Sequence, residues 1–285
     1  MWEILFFLHS KGHIVMNALE SKAPGPSDAD SSAGGSALTR LLQILSMFSL
    51  DRPTVTVEDV VEAFGVGQST SYRYLRELSD AGLIASHGKG VYGLGRRIVE
   101  LDRLLQQSDP LLLAGKKVMQ GFEGFCDNRA FLLCAPYNDR VLCVHNVGMD
   151  KISVEGRSKE IERGRGTSFS LFRGAGSQVL LAYMPPHQIK SLYLTSAADI
   201  AAAGLGATWK EFRICLSQIR KQGYGRTLGR TNPGMYSLAV PIVKVDGKVA
   251  GSLLLLGATA ALEEGMSLLP AMLTQAAAIA AELAD

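Results

Sequence analysis

The sequence predicts an α+β fold in two parts: a small helical unit closed by a β-hairpin, then a larger α/β domain built on an antiparallel sheet. Three observations predict it. Between residues 37 and 95, apolar residues recur at helical spacing three times and then give way to two short apolar runs across Gly88-Lys89-Gly90. Beyond residue 110, strand-like runs come in pairs joined by tight turns. Helical segments separate those pairs, an order that favours hairpins over βαβ crossovers.

Composition bounds the rest. Of 285 residues, 47% are hydrophobic and 20% charged, enough apolar surface for a core and too much for a disordered chain. The 29 basic residues nearly balance the 27 acidic ones, so no global charge announces nucleic acid or a membrane. No apolar run reaches the roughly 18 residues of a membrane span. Cys126, Cys134, Cys143 and Cys215 form no CxxC pair, and no credible signal peptide is present, which predicts core thiols in a cytoplasmic protein.

Residues 1–36 are expected to precede the fold. Residues 17–36 are small, polar and rich in Pro, Gly and Ser, and read as a disordered leader. Met1 to Val15 reads as an over-extended start, with a short apolar partner-binding helix as the alternative.

Residues 37–95 form the first unit. Leu38, Leu41, Leu42 and Leu45 lie on one helix face, and Asp51-Arg52-Pro53 ends that helix. Thr56 reads as the N-cap of a second helix, with Glu58 and Asp59 in its first turn, where the helix dipole favours anions. A third helix starts near Ser69, with Ser71, Leu75 and Leu78 inward and Gly82 as its left-handed terminator. Helix, helix, short turn, helix and hairpin is the order of a winged helix-turn-helix. From Val66 to Arg97 the basic residues Arg73, Arg76, Lys89, Arg96 and Arg97 outnumber the acids Glu77 and Asp80. Phosphate binding needs such a local patch and not a basic protein. The outward side of the third helix carries Gln68, Ser69, Thr70, Tyr72, Arg73 and Arg76, which can donate to phosphates or read base edges. A packing module with an ordinary solvated face has the same spacing.

Residues 96–109 read as a linker helix, with Leu94 just ahead of it and Ile98, Leu101 and Leu105 within it spaced as one narrow stripe. Dimerisation and docking on the next domain both fit that stripe. Ser108-Asp109-Pro110 marks the boundary with residues 110–285.

In that last domain, Leu111 to Phe125 reads as helical, and Phe131–Tyr137 and Val141–His145 flank Asn138-Asp139 as a hairpin. An apolar helix within 167–184 ends at Pro185-Pro186, and amphipathic helices follow at 187–195 and 209–221. Ser237–Val245 and Lys248–Leu256 flank Asp246-Gly247, the strongest hairpin signal of the chain, read as a type I′ turn. A final helix is expected over 267–283. No GxSxG, HExxH, P-loop or dinucleotide fingerprint occurs, so neither an enzyme nor a cofactor or metal site is expected. His145 and His187 have no partner at ligand spacing, and Glu155, Glu160 and Glu162 sit in a charged loop. Arg163-Gly164-Arg165-Gly166-Thr167 could cradle an anion, a weak signal. Residues 168–176 lead a loop into a helix whose N-terminal amides favour an anion, and residues 223–234 form a polar loop. Together they either close one small-molecule pocket or are ordinary connections.

The helix-turn-helix stretch VGQSTSYRYLRELSDAGLI, the wing and linker VYGLGRRIVEL, and the run GYG…PGMYSLAVPIVKVDGKVAGSLLLLG resemble the isocitrate-lyase-regulator (IclR) family of bacterial transcription factors. The resemblance covers about residues 37–284. It implies a winged helix-turn-helix binding double-stranded operator DNA, a helical linker and a GAF-like effector-binding domain. It also implies a homodimer or a tetramer built as a dimer of dimers. Carried over by position, Ser69, Thr70 and Arg73 occupy the reading positions of the third helix, and Gly174 and Ala175 meet the effector through their backbone. Thr227 falls at a position that is commonly an acid, Ser237 at one that is commonly cysteine, and Leu254 and Leu256 at positions that can be serine. The loop that often carries acids is here Thr227-Leu228-Gly229-Arg230. Losing those acids and adding Arg173 and Arg230 makes the pocket mouth positive. A carboxylate effector with an apolar, aromatic body is expected.

Overall fold

The structure is a computed structural model that describes residues 36–161, 164–229 and 233–283. The expected leader, apart from Ser36, lies outside the described residues, as do Glu162, Arg163 and Arg230. The chain divides into two compact units that meet at Asp102 and Arg103.

The first unit contains α1 (Ala37–Leu45), β1 (Thr54–Thr56), α2 (Val57–Phe64), α3 (Gln68–Asp80), β2 (Ile84–Ser86) and β3 (Val91–Leu94), and α4 (Arg97–Ser108) runs across the division. Thr56 caps α2 in a reciprocal box: its N–H donates to the Asp59 carboxylate at 2.7 Å and its Oγ1 accepts from the Asp59 N–H at 3.2 Å. Partial burial raises the Asp59 pKa, but the Thr56 N–H and the Arg52 guanidinium outweigh it and hold the carboxyl below its ordinary value. Gly82 (φ 72°) ends α3 in a Schellman motif, its N–H donating to Ser79 O and that of Leu83 to Leu78 O.

Two features depart from expectation. Residues 54–56 form a strand that pairs antiparallel with β3, giving a sheet of order β1-β3-β2. Three residues are too few to show a strand period. In α1, the buried residue is Ile44, while Leu38 and Leu42 of the expected inward stripe are exposed. The core of this unit gathers Ile44, Val55, Val60, Leu75, Leu78 and Ile84. In α4 no residue is buried.

The second unit opens with α5 (Pro110–Met119), capped by the Asp109 carboxylate on the Leu112 N–H. A 3₁₀ turn (Gln120–Phe125) completes the stretch read as one helix. There follow β4 (Arg129–Tyr137), β5 (Arg140–Gly148), β6 (Lys151–Val154), β7 (Arg157–Glu160), β8 (Ser168–Ser170), α6 (Ala175–Tyr183), α7 (Pro186–Ala202), α8 (Trp209–Gln222), β9 (Gly225–Leu228), β10 (Met235–Val243) and β11 (Val249–Ala258). The chain ends with a short 3₁₀ turn, α9 (Leu262–Ser267) and α10 (Leu269–Glu282). Six strands form an antiparallel sheet in the order β8-β5-β4-β11-β10-β9, and β6 and β7 form a separate hairpin.

Strand alternation assigns the two faces. Leu132, Ala239, Leu254 and Leu256 turn to α6, α7 and α8, whereas Phe131, Leu238, Leu253 and Leu255 turn to α5 and α10. Both segments read as polar loops contain strands: β6 and β7 in the charged stretch, β9 after Gly223. The runs last only four residues, too short to separate a strand from a loop even where they alternate, as Lys151–Val154 does with Ile152 and Val154 buried. The Asp246-Gly247 turn is also not type I′, which needs positive φ at both central residues. Only Gly247 has it (φ 80°), and the Lys244 N–H to Lys248 O bond makes this a three-residue turn with a bulge. Finally, α7 runs past Thr195 to Ala202 through a kink at Ser196 (φ −134°).

Candidate functional site

On the first unit, α3 buries Ser71, Tyr74, Leu75 and Leu78, and the Ser71 hydroxyl returns to Gly67 O at 3.3 Å. This inward face fixes the outward one. Gln68, Ser69, Tyr72, Arg73 and Arg76 are exposed along one side of the helix, and Thr70 is half-buried. Arg76 reaches Asp80 at 3.6 Å, but both side chains are mostly solvated, so the pair is weak and Arg76 can turn to a phosphate. Lys89 stands exposed at the hairpin tip, where Gly88, Lys89 and Gly90 all have positive φ (87°, 51° and 74°). A Cβ on Gly90 would lie 3.7 Å from the Tyr72 hydroxyl, so the base of the wing and α3 meet there. The expected reading residues and the wing thus share one side of this unit.

On the second unit, the site forms where α6 starts against the sheet. Gly174 is its N-cap with φ 85° and ψ 154°, a backbone region open to glycine almost alone. It offers no side chain to the first amides of α6. The cap comes instead from β10: Ser237 Oγ accepts the Ala175 N–H at 3.2 Å. Thr227 Oγ1 on β9 shares a 2.5 Å hydrogen bond with the same Ser237 oxygen. Register explains this meeting, because Thr227, Ser237 and Leu256 pair across β9, β10 and β11 and so point to one face. Leu254 is buried on that face too, in line with Ala239. Gly174, Ala175, Thr227, Ser237, Leu254 and Leu256 are therefore brought together. Arg173 is not drawn in; it is exposed one residue ahead of Gly174. Arg230 lies outside the described residues.

Several buried polar residues escaped sequence reasoning. Ser252 donates to Gly176 O at 3.1 Å, seating α6 on β11. Gln178 donates to Phe172 O at 3.4 Å and ties down the loop before the helix. Ser177 is fully buried and its hydroxyl has no hydrogen-bond partner among the described residues. Their signal was polar residues inside otherwise apolar runs. Close packing also matters here, since a Cβ on Gly225 would meet Val179 Cγ1 at 2.9 Å and Ala175 O at 3.2 Å. Away from this site, His145 is half-buried, and burial first, then Lys116 and Arg165, lowers its pKa. Among the described residues, no group of three or more His, Cys, Asp or Glu could hold a metal, and no helix is long and apolar enough to cross a membrane.

Comparison with known proteins bears on the family and the fold. Residues 37–88 match the IclR helix-turn-helix domain, and residues 138–282 match the bacterial transcriptional regulator IclR C-terminal domain. The HTH-type transcriptional regulator KipR of Bacillus subtilis is 20% identical over 226 residues, covering 77% of this chain and 85% of KipR. An IclR-type regulator from Silicibacter sp. TM1040 superposes with a TM-score of 0.68 at 20% identity, covering 86% of this chain and 94% of its own. An IclR homologue from Microbacterium hydrocarbonoxydans, solved with 4-hydroxybenzoate, does so with a TM-score of 0.64 at 19% identity, covering 87% and 99%. With its helix-turn-helix unit and its C-terminal effector-binding domain, the chain belongs to the IclR family of DNA-binding transcriptional regulators.

Proposed function

We propose that this regulator takes an organic acid with an apolar, aromatic body as its effector. The observation that carries the reading is the start of α6. The Ala175 amide donates to Ser237 beside Thr227, Leu254 and Leu256 are buried on the same sheet face, and none of the gathered residues is acidic. Helix N-terminal amides favour an anion. The two leucines favour a ring over a small hydrophilic acid. Arg173, exposed one residue ahead of Gly174, is the cation next to this helix start, and Arg230 is offered as a second on its sequence position alone. The same fold holds 4-hydroxybenzoate in the Microbacterium protein. Isothermal titration of the full chain against aromatic acids and their carboxamides tests this: acids should bind at least about tenfold tighter, the worth of a charge-assisted hydrogen bond. Equal binding of the two series would overturn the carboxylate reading. Equal binding by wild type and Arg173→Ala would remove the arginine from the site.

Operator contact is assigned to Gln68, Ser69, Thr70, Tyr72, Arg73 and Arg76 on α3 and to Lys89 on the wing, and residues 37–95, 96–109 and 110–285 to DNA binding, linker and effector domain. The working form is a homodimer, or a dimer of dimers, which the exposed Val99, Leu101, Leu104 and Leu105 of α4 support.

A further inference from the structure

A second opening lies on the outer side of the effector unit, between α7 and α8, with a volume of about 480 Å³. That is within the range of small-molecule sites. Its floor is apolar and well buried, made by Ala182, Ile189 and Leu216. Trp209 forms one wall, held in place by Tyr193 (ring centroids 5.2 Å apart) and Phe212 (6.1 Å). Lys190, Arg213 and Arg220 line it, with His187 at the start of α7, and no Asp or Glu does.

The three cations differ in what they have left to give. Arg220 donates to Ala182 O and, at 3.1 Å, to Met184 O, which closes the C-terminal end of α6. It contributes charge to the groove but few free donors. Arg213 lies over the Trp209 ring, 5.8 Å from its centroid. Among the described residues, neither Arg213 nor Lys190 has a carboxylate within ion-pairing distance, and both are exposed. The nearby acid of α8, Glu211, is committed to its own helix start, accepting from the N–H groups of Ala207 (2.8 Å) and Thr208 (3.2 Å). Unpaired cations around an apolar floor repel a cation and are poorly matched by a neutral ligand. A flat ring can lie on the Trp209 face and on Leu216 while an acidic group takes the donors.

We infer that the α7–α8 groove is a second small-molecule site, which takes an organic anion with a flat apolar body, its acidic group received by Lys190 and Arg213. It shares no lining residue with the site at Ser237. The two lie at opposite ends of α6, one against its first amides and the other at Ala182.

Trp209 supplies the readout, because the only other tryptophan is Trp2. The full chain carrying Trp2→Phe is titrated with 2-naphthoate while Trp209 fluorescence is followed. Saturable quenching below about 1 mM is expected. It should weaken at least about tenfold in Lys190→Gln/Arg213→Gln and with naphthalene-2-carboxamide as probe. Both substituted side chains are exposed, and unchanged circular dichroism verifies the fold. Ser237→Val, which costs stability, is used only under conditions where circular dichroism shows it folded; there the quenching should persist, so failure of the effector reading and failure of this one give different results. Absence of saturation, equal affinity for the carboxamide, an unaffected double variant, or loss of quenching in folded Ser237→Val would each overturn the second site.

Discussion

Single residues decide the chemistry in each of the two units. Arg73 stands exposed on α3 among side chains that can donate to DNA. Arg73→Ala is expected to weaken operator binding by about 1–3 kcal/mol if the guanidinium reads a base, measured by mobility shift at fixed salt. A uniform loss on specific and random duplexes would make it a phosphate contact. In the effector unit, Ser237 completes a helix that Gly174 cannot cap. Ser237→Ala leaves the Ala175 N–H and the Thr227 hydroxyl without their buried partner, so a loss of about 1–3 kcal/mol in stability is expected. Denaturant titration measures it, and a neutral result would mean that water replaces the serine. These residues were legible to different degrees. The outward face of α3 follows from spacing alone, whereas the role of Ser237 needs the partner strand and helix in place. Ser177, Gln178 and Ser252 were illegible as site neighbours because their partners are far away in sequence.

At the level of elements, local chemistry carried most of the reading. The Thr56–Asp59 box starts α2 where its residue types predicted a start, and Gly82 ends α3. Because the Asp59 carboxyl titrates below its unfolded value of about 3.9, its ionised form stabilises the fold. That contribution is present above the unfolded value and is lost as pH falls through the folded one. Asp59→Ala should therefore cost the winged-helix unit about 1 kcal/mol near neutral pH. The gap to wild type should close below about pH 3.9, followed by thermal melts across pH. A pH-independent gap would assign the effect to packing. For α4, exposed Leu101, Leu104 and Leu105 lie within two turns. Leu101→Glu/Leu105→Glu should shift the protein towards monomer in sedimentation experiments while leaving its helix content intact. An unchanged mass would exclude α4 from the subunit contact. Elements failed to be legible where they were short, as in β1, β6, β7 and β9. Three or four residues are too few to separate a strand from a loop, even where they alternate as in β6, and pairing with a neighbour defines them.

For the whole molecule, two separate hydrophobic cores predict two separable folding units. One gathers around Leu75 and Leu78, and the other lies on both faces of the six-stranded sheet. A fragment of residues 103–285 is expected to fold alone and to bind an aromatic acid with the affinity of the full chain. Circular dichroism and calorimetry measure this, and an unfolded fragment would show that the first unit is required. The sequence by itself determined the order of the main helices and long strands, the inward and outward faces of α3, the two sheet hairpins and the family, because each rests on residue types a few positions apart. Only the tertiary structure decided that Thr227 and Ser237 share a hydrogen bond above the first amide of α6, that the charged stretch folds as a hairpin, and that Lys190 and Arg213 border an acid-free groove. Such facts depend on strand register and helix packing, which bring together residues tens of positions apart, and no local pattern encodes the distance between them.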